Sequence, residues 1–193
     1  MNWLGRIIQN EIKSNDIVLD IGCGIMQATT DVLNNVKFGS KRYFADILNY
    51  KMRYSLKGNL KCKSILGCDI WDKYLELISK RYPTVKLSTN ELFKFVDNSY
   101  DVVICLDVLE HLELSTAMIT LEQMKRIARK KVIIYTPSNW SKNEENVSNA
   151  WEMGNNPYQQ HKCLISSDIL ERLGFNVSFP EPDKNTLGIF TKC

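Results

Sequence analysis

Short apolar runs alternate with amphipathic ones along this chain, and that alternation constrains the fold more than any other feature. Residues 17–21, 65–69, 85–88, 102–106 and 132–136 read as strands that are apolar on both faces. Buried parallel strands need this pattern, because helices cover both sides of their sheet. Between them, residues 72–82 place Tyr74, Leu75 and Ile78 on one helical face, and residues 116–129 do the same with Ile119, Leu121, Met124 and Ile127. Asp72 is the expected cap of the first helix and Pro83 its stop. A third helix, 166–173, ends at Gly174, and strands 175–179 and 187–191 follow as an antiparallel hairpin. The expectation is an α/β fold, a mostly parallel sheet with helices on both faces, in a single domain over 1–193.

Composition adds boundaries. With 44% hydrophobic and 24% charged residues the chain is an ordinary globular sequence. Its apolar runs are too short to span a membrane and no signal peptide is apparent, so we expect a cytoplasmic protein without a membrane partner. Six cysteines (23, 62, 68, 105, 163 and 193) include no pair at metal-knuckle or redox spacing, and free, mostly buried thiols are expected. The net charge of +3 is unevenly distributed. Residues 37–63 hold eight of the 25 basic residues and one of the 22 acidic ones, which leaves 17 against 21, or −4, elsewhere.

The chemistry is announced by Val18-Leu19-Asp20-Ile21-Gly22-Cys23-Gly24. A strand delivering Asp20 into a turn of two glycines lets a nucleotide-like ligand approach backbone amides at a helix start. In open parallel sheets the ligand crevice lies beyond the carboxyl ends of the strands, so Asp20, Asp69, Leu106 and Thr136 should face one pocket. A dinucleotide fingerprint requires a third glycine where this chain has Gln27, which counts against a nicotinamide or flavin enzyme.

With Leu66-Gly67-Cys68-Asp69-Ile70, the run from Asn98 through Asp107 to Leu112, and Tyr135-Thr136-Pro137, the sequence closely resembles class I S-adenosylmethionine-dependent methyltransferases over nearly its whole length. The resemblance implies a Rossmann-like seven-stranded sheet and S-adenosyl-L-methionine as cofactor. It implies that Asp20, Gly22, Cys23 and Gly24 hold the amino-acid end of that cofactor and that Asp69 accepts the ribose hydroxyls. Ile70 would pack on the adenine, and Leu106 and Asp107 would line the methionine moiety. The acid that usually follows the third strand is replaced by Ser88, Thr89 or Asn90, whose neutral side chains can still bond an adenine. Met26 stands where the family often has glycine.

Asp69 follows Asp20 by 49 residues, against the usual ~20 between the glycine turn and the ribose acid. Asp46 lies nearer that spacing and is the alternative ribose contact. The excess is largely the basic insert at 37–63, whose cations are interleaved with Phe38, Tyr43, Phe44, Tyr50 and Tyr54. Such a mixture suits phosphate contact and base stacking, although a solvated, partly helical excursion is the preferred reading.

For the acceptor, the expectation is O- or N-methylation of a small molecule. RNA bound through the insert, or a subunit that binds the cofactor without catalysis, are the alternatives. Catalytic candidates are His111, as general base, and Glu110. Asp107, Glu110 and His111, at i, i+3 and i+4, would share one helix face, joined by His161 from the polar stretch of about 28 residues after Pro137. That set is the candidate divalent-metal site. Its spacing is similar to the E-x-x-E-H motif of metal-dependent small-RNA 2′-O-methyltransferases and ubiquinone-pathway O-methyltransferases, with Asp107 in place of the first Glu. Many relatives carry the same Leu-Glu-His-Leu string without a metal.

Overall fold

In the computed structural model, residues 3–24, 62–79, 83–143, 155–181 and 184–192 are described. Asp46, Met26, nearly all of the basic insert and Cys193 lie outside them. Helix α1 (Trp3–Glu11) precedes β1 (Ile17–Ile21), and β2 (Ser64–Asp69), α2 (Asp72–Ile78), β3 (Thr84–Lys86) and β4 (Tyr100–Leu106) follow. Then come α3 (Leu114–Ile127), β5 (Ala128–Pro137), α4 (Ser167–Arg172), β6 (Asn176–Glu181) and β7 (Asn185–Thr191). The strands form one seven-stranded sheet in the order β3-β2-β1-β4-β5-β7-β6.

Strands β1 to β5 pair in parallel, and β7 lies antiparallel between β5 and β6. The expected mostly parallel sheet with an antiparallel C-terminal hairpin is therefore present. Side chains alternate across it as a two-residue period requires. Leu19, Ile21, Val103, Cys105, Val132 and Ile134 join the core under α3 and α4, where Ala117, Leu121, Met124, Ile127 and Leu170 are fully buried. Val18, Val102, Ile104, Ile133 and Tyr135 point the other way, toward Ile8 and Ile12. Helix α1 is absent from the sequence reading, although Leu4, Ile8 and Ile12 recur at its four-residue spacing.

Several boundaries differ for local reasons. Strand β3 stops at Lys86 because Ser88 caps a short 3-10 helix, Thr89–Lys94, in a capping box with Glu91. Trp71 rather than Asp72 occupies the cap of α2, without a side-chain cap bond, and Asp72 instead pairs with Lys86 at 2.6 Å. Helix α3 starts at Leu114 and gives way directly to β5 at Ala128. Gly174 does end the last helix: its φ of +84° turns the chain so that Phe175 N–H reaches Leu170 O at 3.0 Å.

Opposite the carboxyl edge, an ion network ties β1, β4 and β5 together. Lys130 reaches buried Asp16 at 2.6 Å and buried Asp101 at 3.0 Å, while Asp101 also accepts from Ile17 N–H and pairs with Arg129. Among the described residues, no helix is long and apolar enough to cross a membrane.

Candidate active site

The order of the strands reverses between β1 and β4, and at such a switch point open parallel sheets take their ligands beyond the carboxyl ends of the strands. Gly22 and Gly24 follow β1 there in left-handed conformations, with φ of +64° and +54°. A Cβ on Gly22 would meet Val108 Cγ2 at 2.3 Å, so a side chain there would collide with the segment leaving β4. Cys23 N–H donates to Cys68 O at 2.9 Å, joining the turn to β2.

Asp69 holds that turn across 45 residues. Its Oδ2 accepts from Gly24 N–H and its Oδ1 from Trp71 N–H, both at 2.8 Å. Burial pushes the Asp69 carboxyl above its usual range, and the backbone N–H groups only partly offset this. The Ile70 N–H also acts on this carboxylate; with about four lone-pair sites, the group keeps some acceptor capacity for a hydroxyl. Asp20 is 1% exposed beside the turn. Burial first, and then the carboxylates of Asp20 and Asp69, push the Cys23 thiol well up, so it packs as a small apolar group. The five described cysteines are free.

Ile70 and Leu106 are half-buried at the ends of β2 and β4. Thr89 is half-buried and Asn90 exposed in the 3-10 helix after β3. An acid does stand one residue beyond them, but the Glu91 carboxylate closes the capping box and pairs with Lys94.

At the end of β4 the geometry departs from expectation. Asp107 leaves the strand at φ +52°, a region that Asp tolerates better than most residues, and its N–H donates to Tyr135 O at 2.8 Å. Leu109–His111 is only a 3-10 turn and α3 starts at Leu114, so Asp107, Glu110 and His111 do not share a helix face. The left-handed step at Asp107 breaks the helical spacing that the sequence implied. What converges instead is Glu110, His111 and His161, which bring one ligand atom each within 4.8 Å of one another; Asp107 is outside that group.

Glu110 is 2% exposed and accepts a 3.2 Å bond from Thr136 Oγ1. Burial, and then the neighbouring Asp107, push its carboxyl well above the usual range. The His111 and His161 rings are 5.0 Å apart. Nδ1 of His111 lies 3.3 Å from Gln160 O, and Nδ1 of His161 lies 2.8 Å from Ser141 O. A carbonyl only accepts, so each Nδ1 is placed to carry a proton, and the carbonyls of Gln159 and Asp107 also face the His111 ring. Burial and then the proximity of His161 push His111 down to about 4, which keeps it neutral.

The polar stretch is fastened above these residues. Lys162 N–H and Cys163 N–H both donate to Glu110 O, at 2.7 and 3.2 Å, and Asn143 Nδ2 donates to Gln159 O at 2.9 Å. The sequence reading included His161 but missed Thr136 as a partner of Glu110, and it missed Ser141 and Gln160, because such contacts have no fixed spacing along a chain.

The profile of a family described as methyltransferase domain matches residues 51–136, which include β2, β4, the Glu110-His111 turn and nearly all of β5. Over those residues the chain is similar to that methyltransferase-domain family. Solved structures share its fold. A SAM-dependent methyltransferase from Archaeoglobus fulgidus superposes with TM-score 0.55 at 15% identity, covering 97% of this chain and 94% of that one. Magnesium protoporphyrin IX methyltransferase from Synechocystis, solved with bound SAM, gives 0.54 at 15% identity, covering 98% and 75%. Small RNA methyltransferase HEN1 gives 0.57 at 16% identity, covering 98% of this chain and 25% of that one. No curated protein sequence matches it.

Proposed function

We propose that this chain is a methyltransferase that binds S-adenosylmethionine across the carboxyl ends of β1, β2 and β4 and transfers its methyl group to a hydroxyl oxygen of a small molecule. The observation that carries the reading is the placement of two sites on one sheet edge. The Gly22 to Gly24 turn, held by Asp69, touches Val108, and two residues later Glu110 and His111 meet His161. Asp20 and the turn amides face the amino-acid end of the cofactor, Asp69 the ribose, and Ile70, Thr89 and Asn90 the adenine. Leu106 and Asp107 border the methionine moiety.

In the transfer, the acceptor oxygen forms a bond to the methyl carbon as the carbon–sulfur bond of the sulfonium breaks, leaving a neutral thioether. The hydroxyl proton leaves to water. Alignment of the two reactants supplies most of the acceleration. Held near 4, His111 keeps a proton poorly, so its ring is better suited to coordination than to general-base work.

One carboxylate and two imidazoles, each fixed by a carbonyl at Nδ1, form a donor set that fits a divalent cation. A cation held by Glu110, His111 and His161 would lower the pKa of the acceptor hydroxyl. Titrating the purified protein with S-adenosylhomocysteine by calorimetry tests the cofactor reading: a 1:1 complex is expected, and no detectable heat across a range of temperatures overturns it.

A further inference from the structure

Residues 156–160 follow β5 in the chain but rest on the turn that leaves β4. The carbonyls of Gln159 and Gln160 face the His111 ring, and just beyond them Lys162 and Cys163 donate to Glu110 O. Asn143 holds the Gln159 carbonyl from the stretch after β5, at 2.9 Å. Asn156 closes the segment into a tight turn: its Oδ1 accepts from Tyr158 N–H and its carbonyl from Gln159 N–H. At 1% exposure Asn156 is packed inward. A turn bonded at both ends and buried on its inner side fixes the direction in which Tyr158 leaves it.

Lys86 marks that direction. It ends β3 as the ladder partner of Asp69, and its ammonium bonds Asp72 at the start of α2 at 2.6 Å. Lys86 is held above its ordinary 10.5 first by that bond and, more weakly, by the Tyr158 phenol. Between exposed groups such an influence fades over about 10 Å in salt solution, so the phenol stands toward the end of β3. In the order β3-β2-β1-β4, the first and last strands are about 14 Å apart. The step from Gln160 to Tyr158 spans at most about 7 Å. The Tyr158 side chain therefore extends from above β4 across the ends of β1 and β2; turned toward β5, its phenol would be out of reach of Lys86. Along this path lie the Gly24 N–H on Asp69 Oδ2 and the half-buried Ile70. Tyr158 is 45% exposed, which leaves ring surface for a ligand on that edge.

Resting on the proposed cofactor binding, we infer that residues 156–160 form a strap across the cofactor and that Tyr158 is a cofactor-binding residue, covering the adenosine from the outer side. Asp69 and Ile70 hold the adenosine from the strand ends, and the strap closes over it. The same short segment carries the carbonyls that orient His111. Adenosine binding and the acceptor-side histidine are thereby tied together, and S-adenosylhomocysteine leaves when the strap lifts.

The test is calorimetry on the parent, Tyr158→Ala and Tyr158→Phe with two ligands. These are S-adenosylhomocysteine and methylthioadenosine, which keeps the adenosine but lacks the amino-acid end. Tyr158→Ala should weaken both roughly ten-fold, as for the loss of one aromatic face, while Tyr158→Phe stays within about three-fold of the parent. Amide hydrogen exchange on the parent gives a second reading that needs no variant: residues 156–160 should exchange more slowly once S-adenosylhomocysteine saturates the protein. The strap is overturned, with the cofactor reading left intact, by a Tyr158→Ala variant that binds either ligand as the parent does. A Tyr158→Phe variant that falls as far as Tyr158→Ala, or exchange at 156–160 that the ligand leaves unchanged, overturns it equally. A parent that binds no S-adenosylhomocysteine overturns the cofactor reading beneath it.

Discussion

The carboxylate of Asp69 at the end of β2 accepts the N–H of Gly24 at 2.8 Å, so the acid expected to hold the ribose also holds the turn expected to hold the amino-acid end. One substitution therefore acts on both halves of the cofactor site. Asp69→Ala should weaken S-adenosylhomocysteine by at least ten-fold, since hydrogen bonds to a charged group are worth about 1.5–3 kcal/mol each. It should also lower the melting temperature, because Gly24 and Trp71 lose their acceptor. Asp46→Ala is the comparison: if it abolishes binding while Asp69→Ala leaves the dissociation constant unchanged, the ribose contact belongs to Asp46.

Gly22 and Gly24 should respond differently to alanine. At Gly22 the new Cβ would lie 2.3 Å from Val108 Cγ2 in a left-handed conformation, so strain and overlap add to about 2–4 kcal/mol. At Gly24 nothing lies within 4 Å, and only the left-handed backbone cost of about 1 kcal/mol applies. Chemical denaturation of both variants, and of Gly22→Ala combined with Val108→Ala, measures this. Partial recovery in the double variant is the expected sign of the collision, and equal losses in the two single variants would refute it.

The cation reading predicts that Mn²⁺ binds the purified protein at one site and that His161→Ala and His111→Ala each reduce its affinity ten-fold or more. S-adenosylhomocysteine affinity should be unaffected by His161→Ala. Methyl transfer to any accepted substrate should fall after exhaustive chelation and return with added cation. Turnover that survives chelation unchanged rules the cation out.

The network on the opposite edge sets a pH dependence of stability. Burial alone would raise the Asp101 carboxyl, but the Ile17 N–H, Lys130 and Arg129 outweigh it and hold the group below its ordinary 3.8. A depressed carboxylate contributes stability that is present above its unfolded pKa and lost as pH falls through the folded one. Lys130 is raised above 10.5, first by its bond to Asp16 and then by Asp101, so its contribution is lost only as pH rises through that higher value. Asp101→Asn should therefore melt below the parent at pH 7, with the gap closing below about pH 3.8. A gap that stays constant from pH 7 to pH 2.5 contradicts this assignment.

Much was legible in the residues alone. Short apolar runs revealed all seven strands, five of them by their apolar character on both faces and the last two as a hairpin after Gly174, although β3 proves to be largely exposed. The Asp20 to Gly24 string marked the left-handed turn after β1, because glycine takes such a φ without strain and, at Gly22, leaves room for Val108. Helix α1 was missed because a nine-residue amphipathic segment carries few apolar positions, and its burial against the sheet is a tertiary fact.

The sequence by itself determined the sheet, its class and the glycine turn, since each follows from local periodicity and from glycine stereochemistry. Only the tertiary structure decided how the acceptor side is built. Whether Asp107, Glu110 and His111 align depends on a single backbone step at Asp107, which turns left-handed and separates it from the other two. That His161 meets His111 across 50 residues depends on backbone amides of Lys162 and Cys163 finding the Glu110 carbonyl. Contacts of this kind are made between backbone groups that every residue possesses, and so they leave no mark in the order of the side chains.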